Sequence, residues 1–226
     1  MGSQSKRRSS KSKSVGIIGG TGKMGRLFAG VFQRAGCEVM VSGRTTKITN
    51  RDIAKKCDIV VVSVPIRKTV GVIAEIAPLM KSGQLLCDFT SLKAAPVAAM
   101  LASRAEVIGL HPMFGPTVRS LNRQTIIAYP ARARKETVDS LLGIFRSEGA
   151  VCTLSTPEEH DRMMAVVQGL THYVTLVVAD TIRRLDVDVA TTKAFTSPVY
   201  AIELSLVGRL LSQDPALYGS ILQENA

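Results

Sequence analysis

Residues 15–25 read Val15-Gly16-Ile17-Ile18-Gly19-Gly20-Thr21-Gly22-Lys23-Met24-Gly25. A short apolar run that predicts a β-strand is followed by the pattern G-x-G-x-x-G at the start of a predicted helix. We expect Gly20 to permit a tight turn, Gly22 to let the backbone approach a pyrophosphate, and Gly25 to let helix and strand pack closely. The stretch predicts a dinucleotide-binding Rossmann unit, and a glycine-rich turn without a ligand is the alternative. The predicted cofactor-binding residues here are Gly20, Thr21, Gly22, Lys23, Met24 and Gly25.

Short apolar runs alternate with helix-like segments from Val15 to Leu154, which is typical of βαβ units and a parallel sheet. After Leu154 no strand-like run returns, and Thr156-Pro157-Glu158-Glu159 is typical of a helix start. The predicted fold class is α/β, with an N-terminal doubly wound Rossmann sheet followed by an all-α C-terminal domain. The predicted division is a disordered basic leader at 1–14, a dinucleotide-binding domain at 15–154, and a helical substrate and dimerisation domain at 155–226.

The same patterns locate the individual elements. We predict strands at residues 15–18, 38–41, 59–62, 85–88, 107–110, 125–129 and 150–154. We predict helices near residues 23–35, 68–80, 94–102 and 135–147, then a long helix to about residue 184, and shorter ones at 189–195, 198–211 and 215–222.

The chain carries a formal charge of +11, and part of that charge lies at its N-terminus. Lys6, Arg7, Arg8, Lys11 and Lys13 stand among serines with no acid, a composition that cannot bury apolar area. We interpret this tail as a leader, and a localisation or nucleic-acid arm is the alternative. The remaining positive excess suits a polyanionic cofactor and substrate. Because we find no nucleic-acid-binding motif, we predict a small-molecule substrate and no nucleic acid as partner.

The cysteines and the apolar stretches bear on the compartment. Cys37, Cys57, Cys87 and Cys152 are scattered, which argues against a metal site or a disulfide framework and suits a reducing compartment. No apolar signal region precedes the first predicted strand. Residues 163–179 are apolar but interrupted by polar residues and short for a membrane span, so we predict a buried core helix. We expect a cytoplasmic protein with no membrane partner and no metal.

The end of the second predicted strand bears on the choice between NAD and NADP. An acid there pairs with the ribose hydroxyls of NAD, whereas a cation accommodates the 2′-phosphate of NADP. This chain has no carboxylate at that point and offers Ser42, Arg44 and Thr45. A guanidinium beside hydroxyls suits a phosphate, so we predict NADP in preference to NAD. The alternative is that Arg44 is a solvated loop residue.

Two polar motifs follow later strands, where open α/β sheets form their ligand crevice. Asp88-Phe89-Thr90-Ser91-Leu92-Lys93 follows one strand, and Leu110-His111-Pro112-Met113-Phe114-Gly115-Pro116 follows the next. A histidine held at a strand end by a stiff loop suits acid–base chemistry near neutral pH. His111 is therefore a candidate catalytic residue.

With these motifs in order, the sequence from Val15 to Leu222 resembles the prephenate and arogenate dehydrogenases of tyrosine biosynthesis. The resemblance also rests on Val62-Ser63-Val64-Pro65-Ile66, Glu159-His160-Asp161, Ser197-Pro198-Val199-Tyr200 and the run Glu203 to Leu210. It implies oxidative decarboxylation of a cyclohexadienyl substrate, with hydride transfer to the nicotinamide. It also implies a homodimer, which the apolar helices at 163–179 and 202–211 favour as well.

The resemblance assigns roles to particular residues. His111 would hydrogen-bond the ring hydroxyl, with Ser91 beside it as a second catalytic residue. Arg209 would clamp a substrate carboxylate, where a surface cation is the alternative. Gln168 and His172 lie four apart on one helix and would both face the substrate, although a structural histidine is the alternative for His172. Ser63 and Pro65 would border the cofactor, and we expect His160 to cap or pair locally.

Two departures from the family pattern leave alternatives open. The chain ends at Ala226, where relatives continue, so it is either truncated or a compact form. Ala201 stands where some relatives carry an arginine beside Tyr200, which bears on the choice between prephenate and arogenate. The rival functions are a non-catalytic NADP-sensing Rossmann protein and a β-hydroxyacid or imine-type dehydrogenase. Neither rival explains the run His111 to Pro116.

Overall fold

The computed structural model describes residues 12–212. It confirms the predicted class, a mostly parallel sheet with helices on both faces followed by a helical C-terminal region. The strands are β1 Ser14–Ile18, β2 Glu38–Ser42, β3 Ile59–Val62, β4 Leu85–Asp88, β5 Glu106–Pro112, β6 Thr125–Arg132 and β7 Val151–Leu154. The helices are α1 Lys23–Arg34, α2 Asn50–Lys56, α3 Ile66–Ile76, α4 Ala94–Leu101, α5 Lys135–Ser147, α6 Pro157–Met164, α7 Thr171–Arg184, α8 Val189–Ala194 and α9 Pro198–Leu211.

The seven strands form one sheet in the order β2-β1-β3-β4-β5-β6-β7. Each neighbouring pair is parallel except β5 and β6, which are antiparallel. The sheet departs from the predicted parallel arrangement at this one pair. Residues 113–124 join β5 to β6 without a helix, and a parallel connection needs a crossover long enough to return the chain to the opposite end.

Both faces of the sheet are covered, as a mainly parallel sheet requires. On one face α1 and α5 pack through aromatic side chains, with the rings of Phe28 and Phe89 centred 4.0 Å apart and Phe145 edge-on to Phe28. On the other face α2, α3 and α4 bury Ile53, Ile73 and Met100. These two layers fix the carboxyl ends of β1 to β5 along one edge of the sheet.

The sequence patterns overlooked helix α2. Thr49 caps it, because its hydroxyl accepts a hydrogen bond from the Asp52 amide while the Asp52 carboxylate accepts one from the Thr49 amide. This reciprocal capping box is visible in the sequence as Thr49-x-x-Asp52 and could have predicted the helix.

The N-terminal boundary also differs from the prediction. Ser14, assigned to the disordered leader, belongs to β1, and its hydroxyl donates to Asp58. The rest of the predicted leader at residues 1–11 and the predicted helix at 215–222 lie outside the described residues.

Candidate active site

The glycine loop joins β1 to α1 beneath the end of β2. Gly19 has a φ of 82°, a left-handed conformation that favours glycine, and Gly20 follows it in the same tight turn. The amides of Gly19 and Gly20 donate to the Ser42 carbonyl at 2.9 and 3.0 Å. Gly20 is needed for a different reason, because a Cβ there would lie 2.6 Å from Val41. The glycine loop thus packs closely against β2.

Helix α1 begins directly after this loop, with Gly22 at its N-cap. A Cβ on Gly25 would lie 2.6 Å from the Gly19 carbonyl oxygen, so this glycine permits the close helix–strand packing that was predicted. The first turn of α1 contains no acidic residue, and Gly22 has no side chain that could cap the helix. The amides of this first turn and the positive end of the helix dipole are therefore open to an anion. Gly22 and Lys23 are exposed, while Thr21 and Met24 are half-buried. This loop fits a pyrophosphate.

The predicted nucleotide-binding residues beyond the loop differ in how far solvent reaches them. Arg44 and Thr45 are exposed beyond the end of β2, and Pro65 is exposed at the N-cap of α3. Ser63 is half-buried, and its carbonyl oxygen would lie 2.2 Å from a Cβ on Gly19. Ser42 differs from the prediction, because its side chain is buried and its hydroxyl donates to Asn50 Oδ1 at 2.8 Å. Ser42 supports the glycine loop through its carbonyl and does not present its hydroxyl to solvent.

A cavity of about 300 Å³ lies between the carboxyl end of β5 and the C-terminal helices. The walls are formed partly by the loop after β5, including Met113 and Phe114, and partly by Leu206 and Leu210 of α9. All five residues predicted for catalysis or substrate binding line this cavity, although they are separated by up to half of the chain: Ser91, His111, Gln168, His172 and Arg209.

A chain of hydrogen bonds runs behind this cavity. His111 Nδ1 lies 2.8 Å from His160 Nε2, and His160 Nδ1 lies 2.8 Å from Asp161 Oδ1. On the cavity side, Gln168 Nε2 lies 3.2 Å from His111 Nε2. The prediction that His160 pairs locally was incomplete, because it also joins His111 across the sheet–helix boundary. The chain's three histidines therefore all lie at this cavity or directly behind it.

The chemistry of these groups gives the hydrogen bonds one direction. An ionised carboxylate only accepts, so His160 Nδ1 donates to Asp161. In a neutral ring, His160 Nε2 is then an acceptor, and His111 Nδ1 must donate to it. His111 Nε2 consequently carries a lone pair toward the cavity, where the Gln168 amide donates to it. The site holds a neutral imidazole with its acceptor nitrogen facing the space where a ligand fits.

Burial and neighbouring cations keep these rings uncharged. Burial lowers the pKa of His111 well below its usual 6.5, the charge of Lys93 acts in the same direction, and a proton on His160 would add to this effect. Burial also lowers the pKa of His160, although its bond to Asp161 opposes this. The pKa of His172 is lowered by burial and by the charge of Arg209.

A buried ion pair beneath His111 escaped the sequence analysis. Lys93 Nζ lies 2.6 Å from Asp88 Oδ2 and 2.7 Å from the Leu110 carbonyl oxygen, and both charged side chains are buried. The Thr90 amide also donates to Asp88 Oδ2. Asp88 and Lys93 belong to the motif that follows β4, but nothing in that motif distinguishes a buried lysine from an exposed one.

The long helix that supplies Gln168 and His172 is not the buried core helix that we predicted. Residues Glu158–Arg184 form one helix, interrupted by a π-helical stretch at Ala165–Leu170 that contains Gln168. Within the predicted core stretch 163–179, Met164 and Thr175 are buried, whereas most of the apolar side chains are exposed. By length and hydropathy, this helix could also span a membrane. The prediction failed because no other part of residues 12–212 covers its outer face.

Comparison with known families agrees with the two-part architecture. The prephenate dehydrogenase nucleotide-binding domain matches residues 30–154, and the prephenate dehydrogenase dimerization domain matches residues 156–226. The chain belongs to the prephenate dehydrogenase family. The resemblance seen in the sequence is thus confirmed.

Individual relatives extend the comparison. A Methanocaldococcus jannaschii protein named "Probable arogenate/prephenate dehydrogenase" is 39% identical over 93% of this chain and 52% of its own length. The T-protein of Haemophilus influenzae is 34% identical over 93% of this chain and 56% of its own length. The chain spans about half the length of these curated relatives.

The fold is also that of solved members of the prephenate dehydrogenase family. Prephenate dehydrogenase from Aquifex aeolicus, in complex with hydroxyphenyl propionate and NAD⁺, superimposes with a TM-score of 0.76 at 21% identity. The match covers 96% of this chain and 84% of that one.

Within residues 12–212, no group of three or more His, Cys, Asp or Glu side chains could hold a metal ion.

Proposed function

We propose that this chain catalyses the oxidative decarboxylation of prephenate or arogenate with NADP, giving 4-hydroxyphenylpyruvate or tyrosine. One observation carries the proposal: an imidazole acceptor on His111 and the guanidinium of Arg209, from opposite parts of the chain, line the same cavity. Family membership and the names of the relatives support the reaction type.

His111 is proposed as the acceptor for the proton of the substrate ring hydroxyl. Its Nε2 carries the lone pair and faces the cavity, and its lowered pKa keeps the ring neutral at physiological pH. The Gln168 amide now bonds this nitrogen, so an incoming hydroxyl would take the place of the amide. As the hydroxyl becomes a carbonyl, its proton moves to Nε2. Loss of carbon dioxide then aromatises the ring, which leaves the protein mainly the task of alignment.

Arg209 is proposed to bind a substrate carboxylate, because a planar guanidinium forms paired, charge-assisted hydrogen bonds with that group. His172 lies close enough for the charge of Arg209 to lower its pKa further, after the larger effect of burial, and both side chains line the cavity. Ser91 lines the same cavity as His111 and is proposed to contact the ring hydroxyl. These polar groups stand among apolar walls that suit a six-membered ring.

The glycine loop and the end of β2 are proposed to hold NADP, whose nicotinamide ring accepts the hydride when bound. Gly20, Gly22 and Gly25 allow the backbone to approach the pyrophosphate, and the first turn of α1 supplies amide donors. Arg44 and Thr45 are exposed where a 2′-phosphate would bind, which favours NADP over the NAD⁺ present in the Aquifex complex. The other proposed cofactor contacts are Thr21, Lys23, Met24, Ser63 and Pro65.

The active form is proposed to be a cytoplasmic homodimer in which residues 15–154 bind the nucleotide and residues 155–226 bind substrate and partner. The helical region matches a dimerization domain, and its exposed apolar side chains would be covered by a second copy. None of the four cysteines forms a disulfide, which suits a reducing compartment.

The deciding experiment incubates purified protein with prephenate or arogenate and with NAD or NADP, and follows absorbance of the reduced coenzyme. We expect reduction of NADP with at least one substrate, together with release of carbon dioxide and an aromatic product. Binding of NADP without turnover of either substrate would favour the sensing alternative. Turnover of a β-hydroxyacid or imine in their place would favour the other rival.

A further inference from the structure

The hydrogen-bond chain behind His111 ends on a carboxylate at the protein surface. His160 is buried on α6, 49 residues along the chain from His111, and its two ring nitrogens both lie 2.8 Å from partners. Asp161 follows it, with 35% of its side chain exposed. The carboxyl end of β5 and the first C-terminal helix are thus joined by two imidazoles in direct contact.

We propose that His160 and Asp161 are positioning residues that hold His111 in the tautomer with an unprotonated Nε2. This inference rests on the proposed role of His111 as acceptor for the substrate hydroxyl. His160 and Asp161, which do not line the cavity, would thus determine which nitrogen of His111 accepts the proton.

The tautomer of His111 depends on which groups in this chain can reverse their hydrogen bonds. Gln168 offers a donor and an acceptor, and its Oε1 is buried with no hydrogen-bond partner among the described residues. A rotated Gln168 amide could therefore accept from a protonated His111 Nε2 as easily as the present one donates. Each imidazole can likewise reverse by changing tautomer. Within this chain of groups, the ionised carboxylate of Asp161 alone has a fixed direction.

Fixing the tautomer in this way has a chemical consequence. With Nε2 protonated, His111 would donate to the substrate oxygen and could not take its proton. In that state the ring would oppose the step that it is proposed to assist. A carboxylate that orients a catalytic imidazole through its far nitrogen is a known device, and here a second imidazole extends it.

Burial favours neutral rings over imidazolium in this chain, and the charged neighbours act in both directions. Lys93, from the N-cap of α4, lowers the pKa of both His111 and His160, whereas the carboxylates of Asp161 and Asp88 raise the pKa of His160. Arg209 and His172 face the cavity from the C-terminal helices. When two neutral imidazoles share a hydrogen bond, one ring must donate and the other must accept. Two tautomeric arrangements meet this condition, and the Asp161 carboxylate selects between them.

The test compares three variants of the full chain: His160→Leu, His160→Gln and Asp161→Ala. Glutamine can donate to Asp161 and accept from His111 Nδ1, so it reproduces both bonds, whereas leucine of similar size reproduces neither. ¹⁵N NMR of histidine-labelled protein reports which His111 nitrogen carries the proton. Steady-state kinetics give kcat and KM separately, and thermal melting with NADP binding checks the fold.

We expect His111 to be protonated on Nδ1 in the wild type and in His160→Gln, and to lose this preference in the other two variants. We expect kcat to fall at least a hundredfold in His160→Leu and Asp161→Ala, less than tenfold in His160→Gln, and KM to change less than threefold in each. Should His160→Leu fail to fold, the contrast between His160→Gln and Asp161→Ala remains.

Retention of the Nδ1 proton in Asp161→Ala, or equal loss of kcat in the glutamine and leucine variants, would overturn the proposal. The NMR measurement uses no substrate. A wild-type protein that turned over neither prephenate nor arogenate would thus refute the proposed function while the tautomer result still stood.

Discussion

The ammonium of Lys93 lies 2.6 Å from Asp88 Oδ2, and the same ammonium donates to the carbonyl of Leu110, the residue before His111. A strand end, a helix cap and the candidate catalytic residue are thereby joined by one buried charge pair. Removing one partner of such a pair leaves an uncompensated buried charge, which is far more costly than the pair itself is favourable.

We therefore expect Lys93→Met to lower the free energy of unfolding by about 3–5 kcal/mol. The double variant Asp88→Asn with Lys93→Met should recover part of this loss, because no charge is left buried. Urea denaturation measures both. As a control, Lys135→Met removes an exposed lysine that pairs with Asp139 and should leave the midpoint unchanged. Equal stability of Lys93→Met and the wild type would show that the pair is not buried as described.

The stability of the protein should depend on pH through His111. Its pKa is lowered in the folded state, so between that value and 6.5 the unfolded chain binds more protons than the folded one. This contribution to stability is complete above about pH 6.5 and is lost as the pH falls toward the folded pKa. His111 alone adds a slope of at most about 1.4 kcal/mol per pH unit. Denaturation from pH 5 to 8 should give a shallower dependence for His111→Asn, and an unaltered slope would contradict the lowered pKa.

His111→Asn should bind NADP with unchanged affinity and lose about 10²–10⁴-fold in kcat, because the amide cannot accept the substrate proton. Stopped-flow and steady-state assays measure the two effects. His172→Asn is the matched control, since that ring lines the same cavity outside the hydrogen-bond chain described above, and it should raise KM more than it lowers kcat. Normal turnover by His111→Asn would remove this histidine from the mechanism.

Arg209→Ala should mainly weaken substrate binding. Loss of a charge-assisted hydrogen bond worth about 1.5–3 kcal/mol corresponds to a rise in KM of roughly tenfold to a hundredfold. Arg183→Ala removes a guanidinium from α7 that pairs with Asp180 away from the cavity, and its KM should match that of the wild type. The carboxylate clamp would be refuted by an Arg209→Ala enzyme with wild-type KM.

Arg44→Asp should shift the coenzyme preference from NADP toward NAD. The new carboxylate repels a 2′-phosphate and can accept hydrogen bonds from the ribose hydroxyls. The ratio of kcat/KM for the two coenzymes measures the change, and we expect it to move at least tenfold. Arg104→Asp introduces the same charge change at the opposite end of the sheet, before β5, and should leave the ratio as it was. If both variants behave alike, Arg44 does not select the coenzyme.

Local patterns in the sequence determined most of the fold. Apolar runs, the G-x-G-x-x-G loop and the cap at Thr156 depend on neighbours within a few residues, and the observed strands and helices largely follow them. The family could be inferred for the same reason, because its motifs are short and contiguous. Even α2 had a local signal, the capping box at Thr49.

Tertiary structure decided what depends on residues far apart in the chain. The bond between His111 and His160, the burial of Lys93 and the reversed direction of β6 each arise from packing between elements, and no local spacing encodes them. The outer face of residues 163–179 is a further case. The apolar sequence pattern of a helix is the same whether its own chain or a second copy covers that face. The sequence by itself therefore identified five residues that line the cavity, and the three-dimensional contacts decided which atom of His111 faces it.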